Sequence, residues 1–184
     1  MKHRESGSEC VGLQVIGRIR TPFVEAPGTP IQPRYSNSAE GTVTVAERFT
    51  DALADIEGFE RIWLIYWMDR ADAFRARVVP YRDTRERGLF ATRAPCRPNP
   101  IGISAVRLLE RKGNMLRVCD VDMLDETLLL DIKPYLPEFD AHPSSRAGWF
   151  DETACLDRRV ADERFHQSAG PTGGGPRGPR DEHA

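Results

Sequence analysis

The chain has 184 residues, 26 Lys and Arg against 28 Asp and Glu, and a formal net charge of −2. That length suits one domain with a sizeable core, and the near-neutral balance argues against a generally basic nucleic-acid binder. No run of about 18 apolar residues is available to span a membrane, residues 1–12 hold no apolar signal core, and Cys10, Cys96, Cys119 and Cys155 lie too far apart for a zinc cluster, so the expectation is a reduced cytoplasmic protein without metal.

Residues 1–12 are expected to be flexible. Residues 11–20 alternate enough to predict a strand, and Thr42-Val43-Thr44-Val45 predicts another, rich in β-branched residues. Residues 51–56 read as a short helix with Thr50 as N-cap and Gly58 as its end. The apolar, aromatic residues 61–68 predict a buried strand, and 75–79 a short one before Pro80. Residues 102–111 and 116–122 flank Lys112-Gly113-Asn114, a hairpin turn. Residues 128–133 form the last core strand. Many short strands and few helices predict a mainly β fold, a barrel or sandwich. No strand–glycine-loop–helix unit of the Rossmann type is present. The folded domain is placed at 13–150, with a C-terminal segment at 151–167 that has room for a helix. From 168 onward, Gly173-Gly174-Gly175 and scattered Pro and Arg offer too little apolar surface for order.

Two segments carry chemistry. In 92–102, three prolines within six residues (Pro95, Pro98, Pro100) make a stiff loop that is neither helix interior nor central strand. It holds Arg93, Arg97 and Asn99. Arginine presents a planar fork of donors suited to carboxylate or phosphate, and the same loop also reads as a rigid connection with solvated arginines. Cys96 sits within it, with no base beside it in sequence, and reads as a bystander. In the second segment, a strand delivers Asp131, Lys133 and Tyr135 to one face. This is either an acid–base and ligand-orienting cluster or a Lys–Asp pair at a barrel rim.

Seven arginines (75, 77, 82, 85, 87, 93, 97) stand against Asp83 and Glu86. They suit either RNA phosphates or a solvated loop. Trp149 and Phe150 suit packing against the barrel or a second subunit, or stacking on a base.

Several blocks in order resemble the TsaA-like family: Ile16-Gly17-Arg18-Ile19-Arg20-Thr21-Pro22-Phe23, Gln32-Pro33, Gly58-Phe59-Glu60-Arg61-Ile62-Trp63, Gly88-Leu89-Phe90-Ala91-Thr92-Arg93, Arg97-Pro98-Asn99-Pro100-Ile101-Gly102 and Asp131-Ile132-Lys133-Pro134-Tyr135. Its characterised members, of the TrmO type, are S-adenosylmethionine-dependent methyltransferases acting on N6 of N6-threonylcarbamoyladenosine at position 37 of tRNA. The resemblance implies a small antiparallel β-barrel with short helices, a homodimer with the cofactor near its interface, S-adenosylmethionine as cofactor and tRNA as partner. By position, it implies cofactor contacts at Pro33, Arg34 and Tyr35, at Asp69 and Arg70, at Arg93 with Ile103, and at Cys119, Asp120, Val121 and Asp122. Carboxylates suit the amino and sulfonium charges, arginine the carboxylate, and apolar groups the adenine.

For the acceptor, Asp131 or Tyr135 is the candidate base, with Lys133 stabilising negative charge. Alternatively Lys133, Arg93 or Arg97 binds the threonyl carboxylate, with Asn99 beside it. The chain departs from the family at Asp69-Arg70, where a His-Gln pair also occurs. It departs again at Asp125-Glu126-Thr127-Leu128, where Asp-Gly-Thr-Pro is frequent; the change removes an easy φ > 0 position and a turn proline. A small-molecule acceptor on the same fold, or a non-catalytic ligand-binding barrel, are the competing readings.

Overall fold

The computed structural model describes residues 11–152 and 156–165. Six strands close into an antiparallel barrel: β1 (Gly17–Arg20), β2 (Glu40–Val45), β3 (Arg61–Trp67), β6 (Ile101–Lys112), β7 (Met115–Cys119) and β8 (Thr127–Pro134), in the order β1-β2-β7-β6-β3-β8. Two-residue strands β4 (Arg77–Val78) and β5 (Arg87–Gly88) form a separate ribbon. Closure removes the exposed edges that an open sheet would present.

Alternation supplies the core. Ile62, Leu64 and Tyr66 of β3 point inward and meet Ile19, Val43, Val106, Leu116, Val118 and Leu129. Fully burying such a side chain contributes about 1.5–3 kcal/mol. The turn between β6 and β7 is as expected, with Gly113 at φ +60° and the Asn114 amide donating to the Val45 carbonyl at 2.6 Å.

Two expectations need correction. The first strand starts at Gly17 rather than at residue 11, because only from Gly17 do β2 and β8 flank it; Val11, Leu13 and Val15 stay exposed. The helix expected at 51–56 is instead a pair of 3-10 turns, Glu47–Leu53 and Ile56–Gly58, broken by Asp55 at φ +64°. Thr50 is no cap: its hydroxyl donates to the Glu47 carbonyl at 2.7 Å, inside the turn. Phe49, Leu53 and Ile56 from this segment pack on the core at one end of the barrel. The candidate site lies at the other end, where β1, β3 and β7 finish and β2, β6 and β8 begin.

A register shift between Ile65 and Tyr66 places Asp131 opposite Ile65 and Leu129 opposite Tyr66, so Leu130 is an extra residue in β8. Such a bulge re-aims the side chains that follow it. Leu129 and Ile132 therefore face the core, and Asp131 and Lys133 turn outward. After β8, α1 (Pro137–Asp140) returns along the outside of β3, where the Trp63 indole donates to Asp140 at 3.1 Å. Beyond α2 (Trp149–Glu152), residues 156–165 run back to the barrel; Pro30 bridges Val160, and Glu163–Phe165 form a 3-10 turn. The tail from 168, along with Cys10 and Cys155, lies outside the described residues.

Candidate active site

A cavity of about 310 Å³ opens at this barrel end, within the roughly 300–1,000 Å³ range of small-molecule sites. Its floor is polar and layered. Tyr66 of β3 and Ser104 of β6 both point inward, and their hydroxyls lie 3.1 Å apart. The Ser104 hydroxyl donates to Asp122 Oδ1 at 2.5 Å, so the Tyr66 hydroxyl is left to donate to Ser104. Burial pushes the Asp122 carboxyl up to about 7, against the opposing pull of the Ser104 hydrogen bond and the Arg93 charge. Burial, with the Asp122 charge behind it, also drives the Tyr66 phenol well above its usual range.

Gly102 makes this floor possible. It sits opposite Tyr66 in the ladder, and a Cβ there would stand 2.2 Å from the Tyr66 ring. The tyrosine ring lies directly on the glycine backbone, which accounts for the last residue of the Pro-Asn-Pro-Ile-Gly motif.

The walls come from loops. The 92–102 segment is held by Arg97, whose guanidinium donates to the Thr92 and Ala94 carbonyls at 3.0 and 3.3 Å and lies over the Phe90 ring. Arg93 reaches across to Gln32 Oε1 at 2.5 Å. Arg70 donates to the Asp125 carbonyl at 2.5 Å, with Asp69 beside it. Ile101 and Ile103 supply apolar surface.

The cavity thus unites Asp69, Arg70, Arg93, Arg97, Ile103 and Asp122 from the sequence-derived candidates. Cys119, Asp120 and Val121 stand behind it. Val121 is core, and the Cys119 thiol accepts from Arg107 at 3.0 Å. Burial works to raise the Asp120 carboxyl, but Arg107 at 2.8 Å and Arg61 at 3.3 Å prevail and hold it below its usual range. Pro33, Arg34 and Tyr35 form a 3-10 turn beside Gln32, and the Tyr35 hydroxyl accepts from Arg82 at 2.7 Å. Asn99 is exposed on the rim of the loop.

Asp131, Lys133 and Tyr135 do share a face, but it is the barrel's outer face. Lys133 pairs with Asp131 at 2.8 Å, and the Tyr135 ring packs tilted against Trp63 with centroids 5.4 Å apart. None of the three lines the cavity. Cys96 is fully buried, and burial pushes its thiol up, as suits a packing residue.

Tyr66, Ser104 and Gln32 were not among the sequence-derived site residues. The available signal was polarity at inward positions, Tyr66 in Leu-Ile-Tyr-Trp and Ser104 in Ile-Gly-Ile-Ser-Ala-Val. Of the seven arginines, Arg75, Arg77 and Arg87 are ion-paired to Asp72, Glu86 and Asp83. Arg82, Arg93 and Arg97 bond instead to neutral oxygens, and of these Arg93 and Arg97 line the cavity.

Residues 18–141 match the tRNA-methyltransferase O N-terminal domain. The chain belongs to the TrmO family. Members of this family are S-adenosylmethionine-dependent methyltransferases. A Pyrococcus abyssi protein named "Probable S-adenosyl-L-methionine-binding protein" is 52% identical over 151 residues, 82% of either chain. The tRNA (adenine(37)-N6)-methyltransferase of Escherichia coli is 32% identical over 159 residues, 81% of this chain and 68% of that one. Among solved structures, TrmO from Pseudomonas aeruginosa aligns with a TM-score of 0.68 at 36% identity, over 80% of this chain. The match spans 64% of the Pseudomonas chain's length.

The residues around the cavity fit the TrmO cofactor. Arg93 suits its carboxylate, Asp69 and Asp122 its amino and sulfonium charges, and Met68, Ile101 and Ile103 its adenine. Among the described residues, no helix is long and apolar enough to cross a membrane, and no group of three or more His, Cys, Asp or Glu is placed to hold a metal.

Proposed function

We propose that this chain methylates N6 of N6-threonylcarbamoyladenosine at position 37 of a cytoplasmic tRNA. The observation that carries the reading is the cavity itself, where Arg93, Arg97, Asp69 and Asp122 converge with apolar Ile103 at one barrel end.

When bound, S-adenosylmethionine supplies a methyl carbon on a sulfonium: an N–C bond forms at N6 as the C–S bond breaks, a neutral thioether remains, and the N6 proton leaves. The protein's task is placement and charge. Holding the reacting atoms in line supplies much of the rate. Arg93 faces the anionic end of a bound ligand while Gln32 fixes its guanidinium. Asp122, near neutrality in its proton affinity, can hold a proton or a positive charge at the cavity floor, and Ser104 orients its carboxylate.

The outward triad enters through a second subunit. In a homodimer joined across the outer face of β3 and β8, Asp131, Lys133 and Tyr135 would be carried to the partner's cavity. Lys133 then stabilises negative charge or binds the threonyl carboxylate, and Asp131 or Tyr135 accepts the N6 proton. Pro33, Arg34, Tyr35, Cys119, Asp120 and Val121 complete the cofactor's surroundings, and Asn99 meets the acceptor.

The test is transfer of label from methyl-labelled S-adenosylmethionine to bulk tRNA. Label that becomes ribonuclease-sensitive precipitate supports the reading. Label transferred only to small molecules in an RNA-free extract would replace tRNA with a metabolite.

A further inference from the structure

A second cavity of about 590 Å³ lies beside the first, and the two share Ile31, Gln32, Tyr81, Thr92 and Arg93 in their walls. Aromatic rings line it together with Arg82 and Arg93, and Arg87 and Arg97 cover two of those rings from outside the lining. Phe90 is 77% exposed on its rim, with Arg97 over its ring at 5.5 Å. The Trp149 indole is fixed by donation to the Ala91 carbonyl at 2.8 Å, and Arg87 lies over that ring at 5.1 Å. Arg82 lies over Phe150 at 4.9 Å.

Flat rings interleaved with arginines are what an extruded nucleobase and its flanking phosphates require. A base inside a stack is out of reach of an enzyme's reacting atoms and must be received by a pocket. An apolar peptide or lipid tail would gain nothing from the three arginines laid over these rings.

We propose that this second cavity holds the methyl-accepting adenine, stacked between Phe90 and Trp149, with Arg93 on the boundary between acceptor and cofactor. The inference rests on the adenine-methylating reading and adds the site at which the base is received. Arg93, the one charged residue among the described residues that lines both cavities, then stands between the cofactor's carboxylate and a substituent carboxylate on N6, which it shares with Lys133. The same placement brings N6 to the mouth of the cofactor cavity. Trp149 and Phe90 act by stacking and take no part in proton transfer.

Calorimetric titration of the full chain, saturated with S-adenosylhomocysteine, separates this site from turnover. The probe is the nucleoside N6-threonylcarbamoyladenosine. Stacking losses of this kind predict at least about fivefold weaker nucleoside binding in each of Phe90→Ala and Trp149→Ala. Trp149→Phe should recover most of the affinity, and S-adenosylhomocysteine affinity should change less than about twofold in all three. Phe90→Ala, on an exposed rim, keeps the test valid if Trp149→Ala disturbs folding. Nucleoside binding that is equal in wild type and both alanine variants overturns the proposal, as does its absence in wild type. If tRNA is still methylated in either case, the assigned activity stands and only the subsite falls. Nucleoside binding of the expected pattern without any RNA methylation leaves the subsite in place and removes the tRNA reading.

Discussion

The barrel carries two polar clusters that differ in what surrounds them. On the inside, Tyr66, Ser104 and Asp122 form a chain of hydrogen bonds at the cavity floor. On the outside, Asp131 and Lys133 form an ion pair whose side chains are 45% and 61% exposed. An exposed pair of this kind contributes about 0–1 kcal/mol, whereas a buried carboxylate changes its proton affinity. The inner cluster comes from β3, β6 and the loop after β7, the outer one from β8, which also pairs with β3, and one extra residue in β8 decides which side Asp131 and Lys133 take. Chemistry in this protein is therefore set by the side of the sheet as much as by the residue type.

The sharpest way to break this comparison is at the cavity mouth. Arg93→Ala should lower kcat/KM for tRNA methylation by about 100-fold or more, as losing one placed cationic donor does, while the melting temperature stays close to wild type. Activity near wild type would remove the cavity from the mechanism.

Asp122→Asn tests the inner cluster alone. We expect about a tenfold loss of kcat and a changed pH dependence of stability. In the folded protein this carboxyl titrates near 7, against an ordinary value of 3.8. Its neutral form is the one that burial favours, so its contribution is fully present below about pH 4 and is lost as pH rises through about 7. Wild type should lose stability across that window relative to Asp122→Asn; parallel melting curves from pH 4 to 8 would contradict the burial argument.

The outer cluster is tested by Lys133→Ala and Tyr135→Phe, which should lower turnover more than cofactor affinity. If the triad acts across subunits, mixing Arg93→Ala with Lys133→Ala should restore roughly a quarter of wild-type activity, because half of the exchanged dimers then carry one intact site of two. No recovery after subunit exchange would place the triad and the cavity in the same subunit or leave the triad idle.

The smallest effect concerns the altered turn. Glu126 keeps the left-handed conformation that glycine would adopt freely, at φ +61°, and pairs with Arg20 at 2.8 Å. Left-handed strain of about 1–2 kcal/mol is partly offset by the exposed ion pair and by the extra chain entropy that glycine brings to the unfolded state. Glu126→Gly should therefore raise stability by only about 0.5 kcal/mol in denaturant melts, without altering turnover.

Much of this was legible in the residues. β-branched and aromatic alternation marked β2, β3, β6, β7 and β8 to within a few positions, and Gly113-Asn114 marked the hairpin. Strand order was not legible, because β3 pairs with β6 and β8 across long sequence separations that local pattern does not encode. The 3-10 turns at 47–58 escaped because Phe49, Leu53 and Ile56 look like a helical stripe until Asp55 interrupts it. In the site, the proline-stiffened loop announced Arg93 and Arg97 by its composition. Period-two reasoning placed Asp131, Lys133 and Tyr135 together but could not tell which side they took, since a bulge at Leu130 leaves no sequence mark. Ser104 and Tyr66 were hidden for a related reason: polarity on a strand normally signals the solvent side, and here it signals the cavity floor.

The most direct measurement is the mass of the nucleosides released from tRNA carrying threonylcarbamoyladenosine after incubation with the protein and S-adenosylmethionine. The account predicts a new nucleoside one methyl heavier than threonylcarbamoyladenosine, formed by wild type and absent with Arg93→Ala. An unchanged nucleoside profile with wild type, under conditions where the protein binds S-adenosylmethionine, would contradict it.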